Sequence, residues 1–220
     1  MIIAFSQTVY CLDALWMEPA ILTTMDLTTD GFGFMLSFGD LVWVPFIFSL
    51  GTRYLAVHPV QLGPLYVLLI LAIQGFGYYI FRSVNNEKNR FRTNPNDPRV
   101  AHLSYIETKT GSRLLTSGWW GTARHINYLG DWVMSWSYCL PTLAAGYKLT
   151  PSILYPGTRL VSQEGMSGYA IPITYFYMVY FAVLLIHREM RDEEKCRRKY
   201  GKDWERYCEK VRWRIWPGVY

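Results

Sequence analysis

The chain has 220 residues, 51% hydrophobic and 17% aromatic, with a net charge of +5 and a mean hydropathy close to zero. Its four cysteines (Cys11, Cys139, Cys196, Cys208) show no CxxC or zinc spacing, so neither a disulfide framework nor a metal site is indicated. Apolar runs long enough to cross a bilayer, separated by charged blocks, predict an all-α class: a polytopic transmembrane helical bundle.

The first stretch, 1–30, is apolar in pieces. It carries Asp13, Glu18, Asp26 and Asp30 but no base, so it lacks the basic start of a signal peptide. Residues 32–51 predict a first clear span, with Asp40 near its middle and Pro45 beyond. An acid at that depth is either functional or paired inside the bundle. A short loop, 53–63, leads to a second span at 65–81. Arg82, Lys88, Arg90 and Arg92 follow at once. A helix continuing past the membrane would place Lys88 and Arg92 on one face, and Asn94-Pro95 would end it. Taken alone, that pair is better accounted for by interface anchoring to anionic lipid.

Residues 100–117 read as a polar connector with a Thr-Gly-Ser turn at 110–112. It leads to 118–131, where Trp119, Trp120, Arg124, His125, Asn127, Tyr128 and Asp131 crowd together just before a third predicted span, 128–146. A loop at 147–168 with no evident chemistry precedes a fourth span, 169–186. Beyond it Arg188, Asp192, Cys196 and Tyr200 recur every four residues on one face of a helix leaving the membrane. Gly201 suits a helix C-terminus and Asp203 the N-cap of a last helix. In that helix Trp204, Tyr207, Cys208 and Val211 form an apolar stripe, for the membrane or for the rest of the site. Of 22 Lys and Arg, 19 lie in 82–99, 109–124 and 188–214, leaving Arg53, Lys148 and Arg159 elsewhere. By the positive-inside rule the basic side is cytosolic.

Cations, amides and flat aromatic faces gathered at one leaflet suit an anionic, base-containing cofactor. No G-x-G-x-x-G follows a strand and no P-loop is present, so such a cofactor would not sit on a Rossmann fold. Nucleic acid fits poorly, because half of the basic residues fall in the last block, where they alternate with acids.

The motifs Gly-Trp-Trp-Gly-x-x-Arg-His-x-Asn-Tyr-x-Gly-Asp (118–131) and His-Arg-x-x-Arg-Asp-Glu-x-x-Cys-x-x-Lys-Tyr-Gly-x-x-Trp-Glu-x-Tyr (187–207) resemble the sterol reductase family. That family includes delta-14 and delta-7 sterol reductases and the lamin B receptor. Residues 22–26, 30–36 and 39–46 look most like the delta-14 branch, of fungal type, with the 147–168 loop as an insertion. The resemblance covers nearly the whole chain. It implies a helical membrane bundle whose cytosolic C-terminal portion, here 82–220, holds NADPH, and about four to five spans across 1–220. It implies cofactor contacts at Lys88, Arg92, Leu115, Trp120, Asn127, Tyr128, Arg188, Asp192, Cys196, Arg197, Arg198, Lys199, Tyr200 and Tyr207. The implied reaction reduces the ring double bond at position 14 of a sterol intermediate in the endoplasmic reticulum membrane. The chemistry needs a buried acid as proton donor, and the depth of Asp40 in its span makes it a candidate, with no catalytic residue assigned.

Two departures stand out. Ile126 occupies a position where many relatives carry Pro. Family members are also about twice this length, so the chain looks like a C-terminal half with part of the sterol pocket missing. A delta-7 or side-chain reductase, an isoprenylcysteine-type methyltransferase sharing Arg-His-x-x-Tyr, and a non-catalytic membrane scaffold remain as alternatives.

Overall fold

The computed structural model describes residues 1–22, 24, 27–28, 33–143, 147–151, 159–163 and 171–220. Thr23, Met25, Asp26, Asp30, Gly31 and Phe32 of the delta-14-like motifs, and most of the 147–168 loop, lie outside the described residues. The molecule is mostly helical. Among the described residues the α-helices are α1 (Ile2–Trp16), α2 (Glu18–Ile21), α3 (Phe34–Phe38), α4 (Leu50–Val57), α5 (Pro64–Thr93), α6 (Ile126–Cys139), α7 (Ile171–Thr174), α8 (Phe176–Tyr200) and α9 (Lys202–Lys210). A π-helical stretch, Gly39–Phe48, joins α3 towards α4 around Pro45, which has no N–H to give a regular ladder.

The all-α expectation needs correction in one respect: two antiparallel hairpins are present. β1 (Tyr105–Glu107) pairs with β2 (Arg113–Leu115), and β3 (Tyr147–Pro151) with β4 (Arg159–Gln163). The first closes where the Thr-Gly-Ser turn was read. Gly111 takes φ +77°, and both the N–H and the hydroxyl of Thr108 donate to the Ser112 carbonyl, each at 2.8 Å.

Two helical stretches among the described residues are long and apolar enough to cross a membrane, Leu36–Val57 and Pro64–Thr93, and the chain is a membrane protein. The sequence implies about four to five spans across 1–220. α6 falls short because Pro141 breaks the ladder and Leu143 turns the chain at φ +50°. α8 is one 25-residue helix, but its charge density from Arg188 onward leaves only the first half apolar. α5 does run past the membrane stretch and stops at Thr93, ahead of Asn94-Pro95. Its outer face leaves Leu65, Leu68, Leu69 and Phe76 exposed, an arrangement suited to lipid.

The chain divides into two compact units. One comprises Met1–Leu71 and Ser135–Tyr180. Its interior is aromatic: Phe48 meets Tyr138 and Tyr177 edge-on at 5.1 and 5.2 Å, and Trp43 lies 4.1 Å from Tyr180. Asp40, in this unit, is exposed.

The other unit comprises Ala72–Met134 and Phe181–Tyr220. Here Ile80, Val84 and Phe91, spaced four and seven apart on α5, bury one face against Val100, Leu103, Leu115, Trp120, Ala123 and Ile126. α5 and α6 touch backbone to backbone at two glycines. A Cβ on Gly77 would lie 2.8 Å from the Gly130 carbonyl, and one on Gly130 would lie 2.7 Å from the Phe81 nitrogen. A second cluster unites Ile106 on β1 with Trp204, Tyr207 and Val211, so the α9 stripe faces the hairpin and α8 rather than lipid. The capping expectation also changes. Gly201, at φ +54°, takes the cap position between α8 and α9, whereas Asp203 sits inside the first turn. The Asp203 carboxylate accepts the Lys109 N–H at 2.9 Å instead, tying α9 to the hairpin turn.

Candidate functional site

Within the second unit, polar faces of α5, α6 and α8 converge. Lys88 and Arg92 are spaced four residues apart along α5, close to one helical turn, whereas Arg82, six residues before Lys88, lies about a third of a turn round the helix. Lys88 faces Asp192 and Cys196 of α8, with Arg92 as a like-charged neighbour one turn on. Its Nζ lies 4.0 Å from the centre of the Trp120 ring, a cation–π arrangement. The indole N–H of Trp120 donates to the Val84 carbonyl at 3.0 Å, one turn below Lys88, which fixes the plane of the ring. Leu115 is buried in the core around this tryptophan.

The segment before α6 supplies the next layer. His125 Nε2 lies 3.7 Å from Asp192 Oδ2, and the imidazole stacks on Tyr128 at 5.0 Å and 19°. Burial, together with the positive fields of Lys88, Arg124 and Arg214, pushes the imidazole down to about 3, so it is neutral at pH 7 despite the carboxylate beside it. Cys196 Sγ donates weakly to Asp192 Oδ2 at 3.9 Å. Burial first, and Asp192 second, push this thiol up to about 12, which keeps it protonated. Asn127 holds Oδ1 buried with no hydrogen-bond donor. One turn further along α6, the buried carboxyl of Asp131 lies within the fields of Arg188 and Arg82, and these three side chains form a second polar group.

The residues expected from the sequence therefore part into groups. Lys88, Trp120, Asp192 and Cys196 come together, with Arg92 adjoining. Arg188 lies against Asp131. Tyr128 stacks on His125, and Asn127 carries the orphaned acceptor. Tyr207 is buried, its hydroxyl reaching the Trp120 carbonyl at 3.5 Å, and Tyr200 stacks on Trp204. Arg197, Arg198 and Lys199 are exposed. Arg197 pairs with Glu193 at 3.7 Å, Arg198 pairs with Glu194, and Lys199 lies over the Tyr200 ring. Five successive helical residues cover every side of a helix, so the run 196–200 cannot all face one ligand.

The sequence reading overlooked the buried scaffold beneath these groups. Arg124 is 6% exposed and donates through Nη1 to the Val211 carbonyl at 2.8 Å, while its Nη2 lies 3.4 Å from Glu193 Oε2. Glu193 also accepts the Trp204 indole N–H at 3.0 Å. Glu189, fully buried, accepts from Arg214 at 3.2 Å and from the Tyr220 hydroxyl at 3.1 Å. The Arg124 and His125 N–H groups bond the Trp213 and Arg214 carbonyls at 2.9 and 2.7 Å. Glu87 was missed as well; its carboxylate accepts the Trp119 N–H at 2.9 Å. Acids in a mainly basic sequence block were the available signal.

Comparison with known proteins agrees with the motif resemblance. The model of the ergosterol biosynthesis ERG4/ERG24 family matches residues 1–220. The chain is 78% identical over 219 residues to a delta(14)-sterol reductase of Septoria lycopersici, covering all of this chain and 43% of that protein. It is 63% identical to the delta(14)-sterol reductase erg24B of Aspergillus fumigatus and 57% identical to the delta(14)-sterol reductase erg24 of Schizosaccharomyces pombe. Each of these matches covers 97% of this chain and 42% and 45% of the relative, respectively. The chain thus spans under half the length of these curated relatives. On both the family match and these identities, the chain belongs to the ergosterol biosynthesis ERG4/ERG24 family.

Proposed function

We propose that this chain forms the cofactor-binding part of an NADPH-dependent delta-14 sterol reductase of the endoplasmic reticulum membrane, with its basic side in the cytosol. The observation that carries the reading is the convergence of Lys88, Trp120, His125, Asp192 and Cys196 from three separate segments. The names of the relatives supply the sterol.

The donor set fits a dinucleotide. Lys88, Arg92 and Arg188 offer fixed positive charge for phosphates, and Trp120 and Tyr128 offer flat faces for a ring. Asn127 offers a buried acceptor for an N–H that the protein does not provide. When bound, NADPH supplies the hydride. This chain's residues orient it and keep water from the reacting carbon. Protonation of the ring alkene must come first, because the tertiary cation it creates is what accepts hydride. The Cys196 thiol is too weak an acid to ionise and serves as an uncharged wall. The substrate is an apolar sterol reached through the bilayer.

The test is titration of this chain in lipid nanodiscs with NADPH. Lys88→Ala and Arg188→Ala each remove a charge-assisted contact worth about 1.5–3 kcal/mol, so the Kd rises about ten- to a hundredfold. No binding by the wild type, or unchanged Kd in both variants, overturns the proposal. Binding of S-adenosylmethionine in place of NADPH would point to methyl transfer.

A further inference from the structure

We propose that Glu87 is a positioning residue: its carboxylate caps the Gly118–Trp120 turn and thereby sets the Trp120 ring beneath Lys88. The inference rests on the dinucleotide reading for its consequence, but not for its geometry. Residues Trp119–Gly121 form a single 3₁₀ turn whose leading N–H groups have no partner within the turn. No side chain of the preceding residue can cap it, because that residue is Gly118. Glu87 fills the role from 32 residues away. One of its oxygens accepts the Trp119 N–H at 2.9 Å, and the carboxylate also receives the Trp120 N–H.

Gly118 is part of the same device. It adopts φ +67° and ψ −150°, a conformation that side-chain-bearing residues avoid. A Cβ there would lie 2.6 and 2.7 Å from the two Glu87 oxygens. The glycine therefore makes room for the carboxylate, and the carboxylate rewards the strained turn with hydrogen bonds. Glu87 is adjacent to Lys88 and three residues beyond Val84, whose carbonyl takes the indole N–H. One turn of α5 thus holds the Trp120 backbone, its indole nitrogen and, through Lys88, the ring face. His102 lends a further, electrostatic contact to the acid.

The experiment uses the 220-residue chain in lipid nanodiscs as wild type, Glu87→Ala and Glu87→Gln. Two readouts are taken: hydrogen exchange of the Trp119 and Trp120 amides, and the Kd for NADPH. Loss of a cap of this kind lowers amide protection and weakens binding by up to about tenfold in Glu87→Ala. Glu87→Gln, which keeps one acceptor oxygen, recovers part of both, and exchange elsewhere in α5 stays as in the wild type. A merely structural role would instead raise exchange along α5 and be indifferent to the Gln rescue. Unchanged protection at Trp119 and Trp120 in Glu87→Ala overturns the proposal. So does lost protection with an unaltered NADPH Kd. If the wild type binds no NADPH yet the two amides lose protection, the dinucleotide reading fails and the positioning of Trp120 stands.

Discussion

The two sides of α8 carry the same kinds of residue and treat them differently. On one side Glu189 and Glu193 are buried, each against an arginine from another segment, Arg214 and Arg124. On the other, Glu194 and Arg198 pair with one another in the open, with side chains 64% and 78% exposed. A count of charges along 188–214 sees one basic block. The fold sees a structural ion network facing inward and a solvated surface facing out. Desolvated charges are held by their partners and are costly to orphan, whereas exposed pairs compete with water and gain little.

The largest effect expected from this contrast is at Arg124. Replacing it with Ala leaves the Glu193 carboxylate buried with the Trp204 indole N–H, the weak Cys208 thiol donor and the solvent-exposed Arg197, and strips the Val211 carbonyl of its donor. Destabilisation of about 3–5 kcal/mol is expected for an orphaned buried charge. Denaturant unfolding in mild detergent measures it. The double variant Arg124→Met, Glu193→Leu should recover most of the loss, since it removes both charges and keeps the volume. A cost below 1 kcal/mol for Arg124→Ala would show that the inward network is not desolvated in the way its burial implies.

His125 gives the next effect, through pH. Its folded-state pKa of about 3 lies below the ordinary 6.5, because burial and the cations Lys88, Arg124 and Arg214 outweigh the attraction of Asp192. Between those two values the unfolded chain binds the proton more readily. The contribution is therefore complete above pH 6.5 and is lost progressively as pH falls towards 3. At pH 5 the loss amounts to roughly 2 kcal/mol. His125→Phe keeps the stack on Tyr128 and cannot titrate, so the slope of stability against pH between 6.5 and 5 should flatten. An unchanged slope would assign it to other groups.

The sequence made some of this contrast visible and hid the rest for a definable reason. Lys88 and Arg92, and the ladder Arg188, Asp192, Cys196, are related by one or two helical turns, and helical period alone puts them on shared faces. The end of α5 at Asn94-Pro95 and the turn at Gly111 follow from local backbone preferences. Glu87, Arg124, Glu189 and Glu193 take partners 25 to 87 residues away, so no local period announces them. Asp203 had the right residue type for a cap, but Gly201 could adopt the positive φ that the junction demanded, and the carboxylate was left free to serve Lys109. The shortness of α6 was written in Pro141.

The smallest expected effect lies on the outward side and tests the contrast from below. Arg198 and Glu194 are separated by one helical turn, so the pair stabilises α8 by a few tenths of a kcal/mol at most, and less as salt screens it. Arg198→Ala should therefore move the unfolding midpoint within error and leave the NADPH Kd within about twofold, since an exposed side chain engaged with Glu194 has no route to the ring of Trp120. The family resemblance implies the opposite, a cofactor contact anywhere along Cys196–Tyr200, and the two expectations separate on one titration. A loss of NADPH affinity of tenfold or more in Arg198→Ala would mean that the ligand reaches round α8 to its outer face, and the division of that helix into an inward network and a solvated surface would have to be redrawn.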